Sequence, residues 1–183
     1  MAKGKIKIEN IVASTTIAKE LDLMSIASTW EDVEYEPEQF PGLVYRLKEP
    51  RTATLLFGSG KANCTGARTV EGVHKTIETL VKRLKEAGIP VIEHPEIVVQ
   101  NIVATYDLGK ELDLNAIAVG LGLENIEYEP EQFPGLVYRL TDLGVVVLLF
   151  GSGKIVCTGA RHEKDVELAV EKITERLTEA GFL

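Results

Sequence analysis

The chain has 183 residues, 45% of them hydrophobic, and a formal net charge of −8. That is enough apolar residue to bury a core and rules out a disordered polyelectrolyte, and no run approaches the roughly eighteen uncharged apolar residues of a membrane-spanning helix. The acidic sum by itself argues against a nucleic-acid partner, yet residues 1–91 hold 13 Lys and Arg against 12 Asp and Glu while residues 92–183 hold 7 against 16, net +1 against net −9.

Met1-Ala2-Lys3-Gly4-Lys5 leads directly into a strand-like pattern without an apolar signal segment, so a soluble cytoplasmic protein is expected. Lys5 to Thr15 alternates and is rich in Ile and Val, which predicts a first strand with Asn10 and Val12 on one face and Ile11 and Ala13 on the other. Ile17, Leu21, Met24 and Ala27 then fall at helical spacing up to Trp30, which is expected to pack in the core or at the helix end. Glu36-Pro37-Glu38-Gln39-Phe40-Pro41-Gly42 reads as an acidic loop that displays an aromatic ring between turn residues. Leu43 to Leu47, Thr52 to Phe57 and Ala62 to Ala67 read as three short strands, the last two joined at Gly58-Ser59-Gly60. Val73, Ile77, Leu80, Val81, Leu84 and Ala87 share one face of a long helix closed by Gly88 and Pro90.

The chain then repeats itself. Glu34 to Leu47 returns letter for letter as Glu127 to Leu140, an offset of 93 residues; Phe57 to Lys61 returns as Phe150 to Lys154, and Cys64 to Arg68 as Cys157 to Arg161. Asn10-Ile11-Val12-Ala13 matches Asn101-Ile102-Val103-Ala104 at an offset of 91, so two residues are inserted in the second copy, expected in Val119 to Leu123 opposite Ser28 to Trp30. The weaker helix at Leu108, Leu112, Asn115 and Ala118, and the long one at Val166, Val170, Ile173, Leu177 and Ala180, complete it. Two copies of about ninety residues are too few and too long for a solenoid. The expected fold is α+β, with domains 1–91 and 92–183 and helices on one face of an antiparallel sheet.

In such a sheet the face without helices should turn polar. Here it stays apolar: on the parity of Phe57 it carries Val12, Ala53, Leu55 and Thr65, and in the second copy Val103, Val146, Leu148, Phe150, Val156 and Thr158. An exposed apolar face of that size marks an interaction surface or a homodimer interface.

The repeated strand, Phe-Pro-Gly-Leu-Val-Tyr-Arg-Leu block, Phe-Gly-Ser-Gly-Lys hairpin and Cys-Thr-Gly-Ala-Arg segment resemble the TATA-box-binding protein family over essentially the whole chain, and the compact length and acidic balance resemble its archaeal branch. The resemblance implies two pseudo-symmetric repeats in one ten-stranded antiparallel, saddle-shaped sheet with helices on the convex face. It implies a general transcription initiation factor that sits in the minor groove of A·T-rich promoter DNA, kinks it, and nucleates assembly with transcription factor B and, indirectly, RNA polymerase, with no catalysis and no cofactor. By the same resemblance Phe40, Phe57, Phe133 and Phe150 are wedges between base steps, a mechanism that arrives with the family and is not read from composition. Asn10 and Asn101, beside Thr65 and Thr158, donate to base acceptors, and Val12, Val103, Leu55, Leu148 and Val156 form an apolar floor. Arg46, Arg51, Lys61, Arg68, Arg139, Lys154 and Arg161, with Ser59 and Ser152, hold phosphates, and Glu129 and Glu131 meet transcription factor B. Two departures stand out: Asn63 occupies the place of Val156, where the family usually has an apolar residue, and Thr141-Asp142-Leu143-Gly144 lacks a counterpart of Arg51.

Other chemistries find less support. Gly58-Ser59-Gly60-Lys61 lacks the earlier glycine and the following Ser or Thr of a phosphate-binding loop, since Leu55 and Ala62 stand there. His74, His94 and His162 are scattered, Cys64 and Cys157 read as buried strand thiols, and no metal set emerges. The cations of the first long helix, Lys75, Lys82, Arg83 and Lys85, are either solvated or a contact for DNA or a regulator. Alternatives to the leading function are a DNA glycosylase-like enzyme using a saddle domain and a homodimeric module burying its own apolar face.

Overall fold

The computed structural model describes residues 4–122 and 124–183. Ten strands form one antiparallel sheet: β1 (Lys7–Thr16), β2 (Val33–Glu34), β3 (Leu43–Leu47), β4 (Thr52–Leu56), β5 (Lys61–Ala67), β6 (Ile97–Asp107), β7 (Ile126–Glu127), β8 (Leu136–Leu140), β9 (Val145–Leu149) and β10 (Lys154–Ala160), in the order β2-β3-β4-β5-β1-β6-β10-β9-β8-β7. Four helices accompany them: α1 (Leu23–Thr29), α2 (Val70–Glu86), α3 (Leu114–Gly120) and α4 (Glu163–Glu179). The chain divides into two compact units, one of Asn10–Gln100 and one of Asn101–Leu183 with the stretch that ends at Glu9.

In the first unit, β4 alternates between buried Thr52, Thr54 and Leu56 and half-buried Ala53 and Leu55. The buried side meets α2, whose Val73, Ile77, Leu80 and Leu84 are all but inaccessible. Thr69 caps that helix by accepting the Gly72 N–H at 2.9 Å, and Gly88, at φ +79°, ends it while the Ile89 N–H returns to the Leu84 carbonyl at 3.0 Å. The second unit repeats the plan with Val145, Val147 and Leu149 turned toward Val166, Val170, Ile173 and Leu177 of α4. His162 stands at the cap position without a side-chain bond, and Glu163 and Asp165 put negative charge at the helix start instead.

The short helices begin later than expected. Ile17, Ala18 and Leu21 are buried in an extended segment that docks on the hairpin, with Ile17 N–H to the Gly60 carbonyl and Leu21 N–H to the Gly58 carbonyl, both 2.9 Å. Asp22 then caps α1 by accepting the Ser25 N–H, and Met24 points to solvent rather than into the core. The backbone bonds of the hairpin override the helical spacing of the side chains. Leu108 and Leu112 dock in the same way on Gly153 and Gly151, and Asp113 caps α3. Trp30 closes α1 and packs at 5.9 Å on Tyr45. The two extra residues fall between the end of α3 and β7, slightly later than expected, in a stretch that includes Leu123, outside the described residues, as are Met1, Ala2 and Lys3 of the expected start.

The two-residue strands β2 and β7 were not expected individually; each pairs at the sheet's edge with the Val-Tyr segment of β3 or β8, Val44-Tyr45 or Val137-Tyr138. Gly60 makes the hairpin possible, because at φ +87° its missing Cβ would lie 1.8 Å from the Ala18 carbonyl oxygen. That close approach accounts for the glycine at position 60 without any nucleotide-binding role for the loop.

Candidate nucleic-acid interface

The face turned away from the helices carries the residues that the sequence assigned to it. In the first unit Val12, Ala53, Leu55, Phe57 and Thr65 are half-buried; in the second Val103, Val146, Leu148, Phe150, Val156 and Thr158 are likewise. Cross-strand pairing sets them side by side: Ala53 faces Thr65, and Val146 faces Thr158.

At one end of each unit's face stands an aromatic pair. Phe40 and Phe57 meet edge to face with centroids 6.0 Å apart, and Phe133 and Phe150 do so at 5.9 Å. The acidic loop makes this possible by curling into a turn, where the Gln39 and Phe40 N–H groups donate to the Glu36 carbonyl at 2.9 Å and those of Gln132 and Phe133 to Glu129. Glycine is needed immediately after. A Cβ on Gly42 would lie 2.6 Å from the Phe40 ring, and one on Gly135 would lie 2.6 Å from Phe133 and 2.9 Å from Phe150. The sequence offered that signal only as a turn residue. Phe40 and Phe133 remain 40% exposed, a large apolar area left in water.

At the opposite part of each face the asparagines are locked. A bulge in the β1 and β5 pairing, with Gly66 at φ +98°, takes the Gly66 N–H out of the ladder, and Asn10 Oδ1 accepts it at 2.6 Å. A backbone N–H only donates, so the carboxamide oxygen must face it, and the NH2 group is turned toward the Thr65 hydroxyl, 3.2 Å away. Asn101 repeats this with Gly159 at 2.6 Å and Thr158 at 3.3 Å. With the acceptor spent on the protein's own backbone, each amide keeps donor capacity for a ligand.

The rim is cationic but partly compensated. Arg51, Lys61, Arg68, Lys154 and Arg161 are exposed, as are Ser59 and Ser152. Arg46 lies 3.8 Å from Glu34 and Arg139 3.3 Å from Glu127, across the edge strand pairs. The first unit gathers Arg46, Lys48, Arg51 and Arg68 around one open groove. At the equivalent place the second unit has Thr141 and Gly144, with Asp142 paired to Lys172, whose ammonium holds that carboxyl below its usual range. The absence of an Arg51 counterpart is therefore a change of charge, not a rearranged contact.

Of the cations on α2, two are already engaged. Arg83 makes a two-pronged bond to Asp32, both contacts 2.8 Å, which holds that carboxyl below its usual range, and it stacks 4.0 Å above the Trp30 ring. Lys85 pairs with Glu93. In the second unit Arg176 lies over Tyr138 and bonds its hydroxyl, and Asn125 stands where Asp32 does. Burial pushes the Cys64 thiol up and the Cys157 thiol to about 11, so both are inert strand residues. Among the described residues no cluster of three or more His, Cys, Asp or Glu could hold a metal ion, and no helix is long and apolar enough to cross a membrane. Glu129 and Glu131 are exposed, in the same geometry as Glu36 and Glu38.

Comparison with known proteins agrees with this geometry on both repeats. The family model described as transcription factor TFIID, or TATA-binding protein, matches residues 5–87 and again 96–180. The TATA-box-binding protein of Thermoplasma acidophilum is 60% identical over 99% of this chain and 98% of its own length, and that of Archaeoglobus fulgidus 59% over the whole of both. A solved structure of Methanococcus jannaschii TBP superposes with a TM-score of 0.87 at 56% identity, covering 96% of this chain and 99% of that one. Shared length, fold and duplicated motif place this protein in the TATA-binding protein family.

Proposed function

We propose that this protein is a general transcription initiation factor of archaeal type, which binds TATA-like promoter DNA through the minor groove, bends it, and recruits transcription factor B and, through it, RNA polymerase. It catalyses nothing. The observation that carries this reading is the donor-only arrangement of Asn10 and Asn101 beside an uncovered apolar floor. An A·T minor groove presents only the N3 and O2 acceptors, whereas guanine adds an amine. A floor of Val and Leu with two outward amides satisfies the first and leaves the second buried without a partner. The aromatic pairs supply apolar area to insert at opened base steps, where burial at ~25 cal/mol/Å² offsets an unstacking cost of a few kcal/mol. Flexible TA steps lower that cost.

Selection of bound duplexes from a random pool is the test, and an A·T-rich core is expected. Replacing its A·T pairs by inosine·cytosine, which carries no minor-groove amine, should preserve binding. Enrichment of G·C-rich duplexes, or loss of binding on inosine substitution, would overturn the reading. The same apolar face could instead be covered by a second copy of the chain; sedimentation with and without the A·T-rich duplex separates the two, since a dimer indifferent to DNA contradicts a DNA face.

A further inference from the structure

Among the paired positions of the open face, only one exchanges an apolar side chain for a polar one between the repeats. Where β10 carries Val156, paired with Leu148 and Thr105, β5 carries Asn63, paired with Leu55 and Ser14. Val156 is half-buried and Asn63 is exposed. The polar character extends sideways, because Gln100 Nε2 donates to Ser14 Oγ at 2.8 Å. Asn63 also differs from its neighbour Asn10. The oxygen of Asn10 is held by the Gly66 N–H, which leaves a donor, whereas among the described residues the Asn63 amide enters no hydrogen bond. Its oxygen and its NH2 group are both available, and a turn about the last side-chain torsion exchanges them at little cost.

That freedom matters for base readout. Against an A·T pair the NH2 group can donate to N3 or O2; against a G·C pair the oxygen can accept the guanine amine. Val156 can do neither: it packs against an A·T pair by shape and leaves a guanine amine without a partner. We infer that Asn63 is a specificity-determining residue, which lets the half of the DNA site read by the first repeat accept a base pair bearing a minor-groove amine where the half read by the second repeat rejects it. The inference rests on the minor-groove function proposed above and adds to it a base-readout asymmetry: two repeats with identical loops and hairpins acquire different sequence tolerance from one side chain.

The test is a scan of single substitutions through an A·T core, using G·C pairs and, separately, 2-aminoadenine·T pairs, which add the amine and change little else. Wild type, Asn63→Val and Val156→Asn are compared by fluorescence titration. Wild type should show one position at which the amine weakens binding by no more than about threefold; Asn63→Val should raise that penalty to about tenfold or more at that position alone, the discrimination expected of one lost hydrogen-bonded contact in the groove. Val156→Asn should create a second tolerant position at the equivalent place in the other half. Because Asn63 is exposed, melting temperatures should not move, and a purely structural role would leave the position-dependence unchanged. Coincident penalty profiles for wild type and Asn63→Val would overturn the inference while A·T binding still supports the function; loss of A·T binding by wild type would overturn the function and this inference with it.

Discussion

Phe57 braces Phe40 edge to face, and in the wedge role proposed for it the same ring inserts at a base step. It is already half-buried, so insertion at a base step covers only the remaining part of a side chain that buries ~150–250 Å² in full. Phe57→Ala and Phe150→Ala should therefore each weaken binding to an A·T-rich duplex by about 2 kcal/mol, after recovered base stacking is set against lost burial. The bend should fall with it, and energy transfer between dyes at the duplex ends measures both; unchanged bending in both variants contradicts the wedge role. Gly135→Ala reaches the same site from behind. Its Cβ would meet Phe133 at 2.6 Å and Phe150 at 2.9 Å, so the pair must separate. Expected are an unchanged melting temperature within about 2 °C, because the loop is exposed, and weaker binding; full affinity would show that the pair's geometry is unimportant. The phenylalanines were legible in the sequence as aromatics in a loop and at a strand end. Their contact, and the glycines that permit it, were not, because nothing in one-dimensional spacing tells that residues seventeen apart share a corner.

At the scale of elements the strands and long helices follow from their periodicity, and the differences have two causes. Ile17 and Leu21 satisfy helical spacing, but their N–H groups are better paired with the hairpin's Gly60 and Gly58 carbonyls, so tertiary bonds defeat a local pattern. The edge strands β2 and β7 are two residues long and have no period to detect. The core beneath the sheet shows how the repeats have diverged. Under α2 it contains Thr52 and Thr76, bonded at 2.9 Å, and Thr54, whose hydroxyl has no hydrogen-bond partner of normal geometry among the described residues and lies beside the weakly polar Cys64 thiol. Under α4 the same places hold Val145, Ala169 and Val147. Thr54→Val should therefore stabilise the protein by about 1 kcal/mol, by removing a buried hydroxyl that lacks a full bond, and Val147→Thr should destabilise it by a similar amount. Denaturant midpoints at constant slope check both, and a Thr54→Val variant less stable than wild type would show that the thiol contact is worth more than its chemistry suggests.

For the whole molecule, the duplication was the most legible feature, because a 93-residue offset needs no structural inference, and it carried the fold with it. Charge is what distinguishes the halves. The acidic loops at Glu36 and Glu129 are identical in sequence and in backbone bonding, so neither alone can give a partner a preferred side. Surrounding charge, net −9 against +1, can bias a basic partner toward the second copy. Charge reversal at Glu129 and Glu131 should abolish the complex with transcription factor B and spare DNA binding, read by gel mobility; equal loss on reversing Glu36 and Glu38 contradicts that bias.

The central claim is that an apolar face, more than a cationic rim, recognises the DNA. Seven Lys and Arg side chains were assigned to phosphates, which sets a limit of about −6 on the slope of log K against log salt at ~0.9 per contact. Arg46 and Arg139 already have carboxylate neighbours at 3.8 and 3.3 Å, so part of that counterion release is spent inside the protein. Titration calorimetry across salt and temperature is the most direct measurement: the account predicts a slope much shallower than −6 with a large negative heat-capacity change, and a slope near −6 with little heat-capacity change would contradict it.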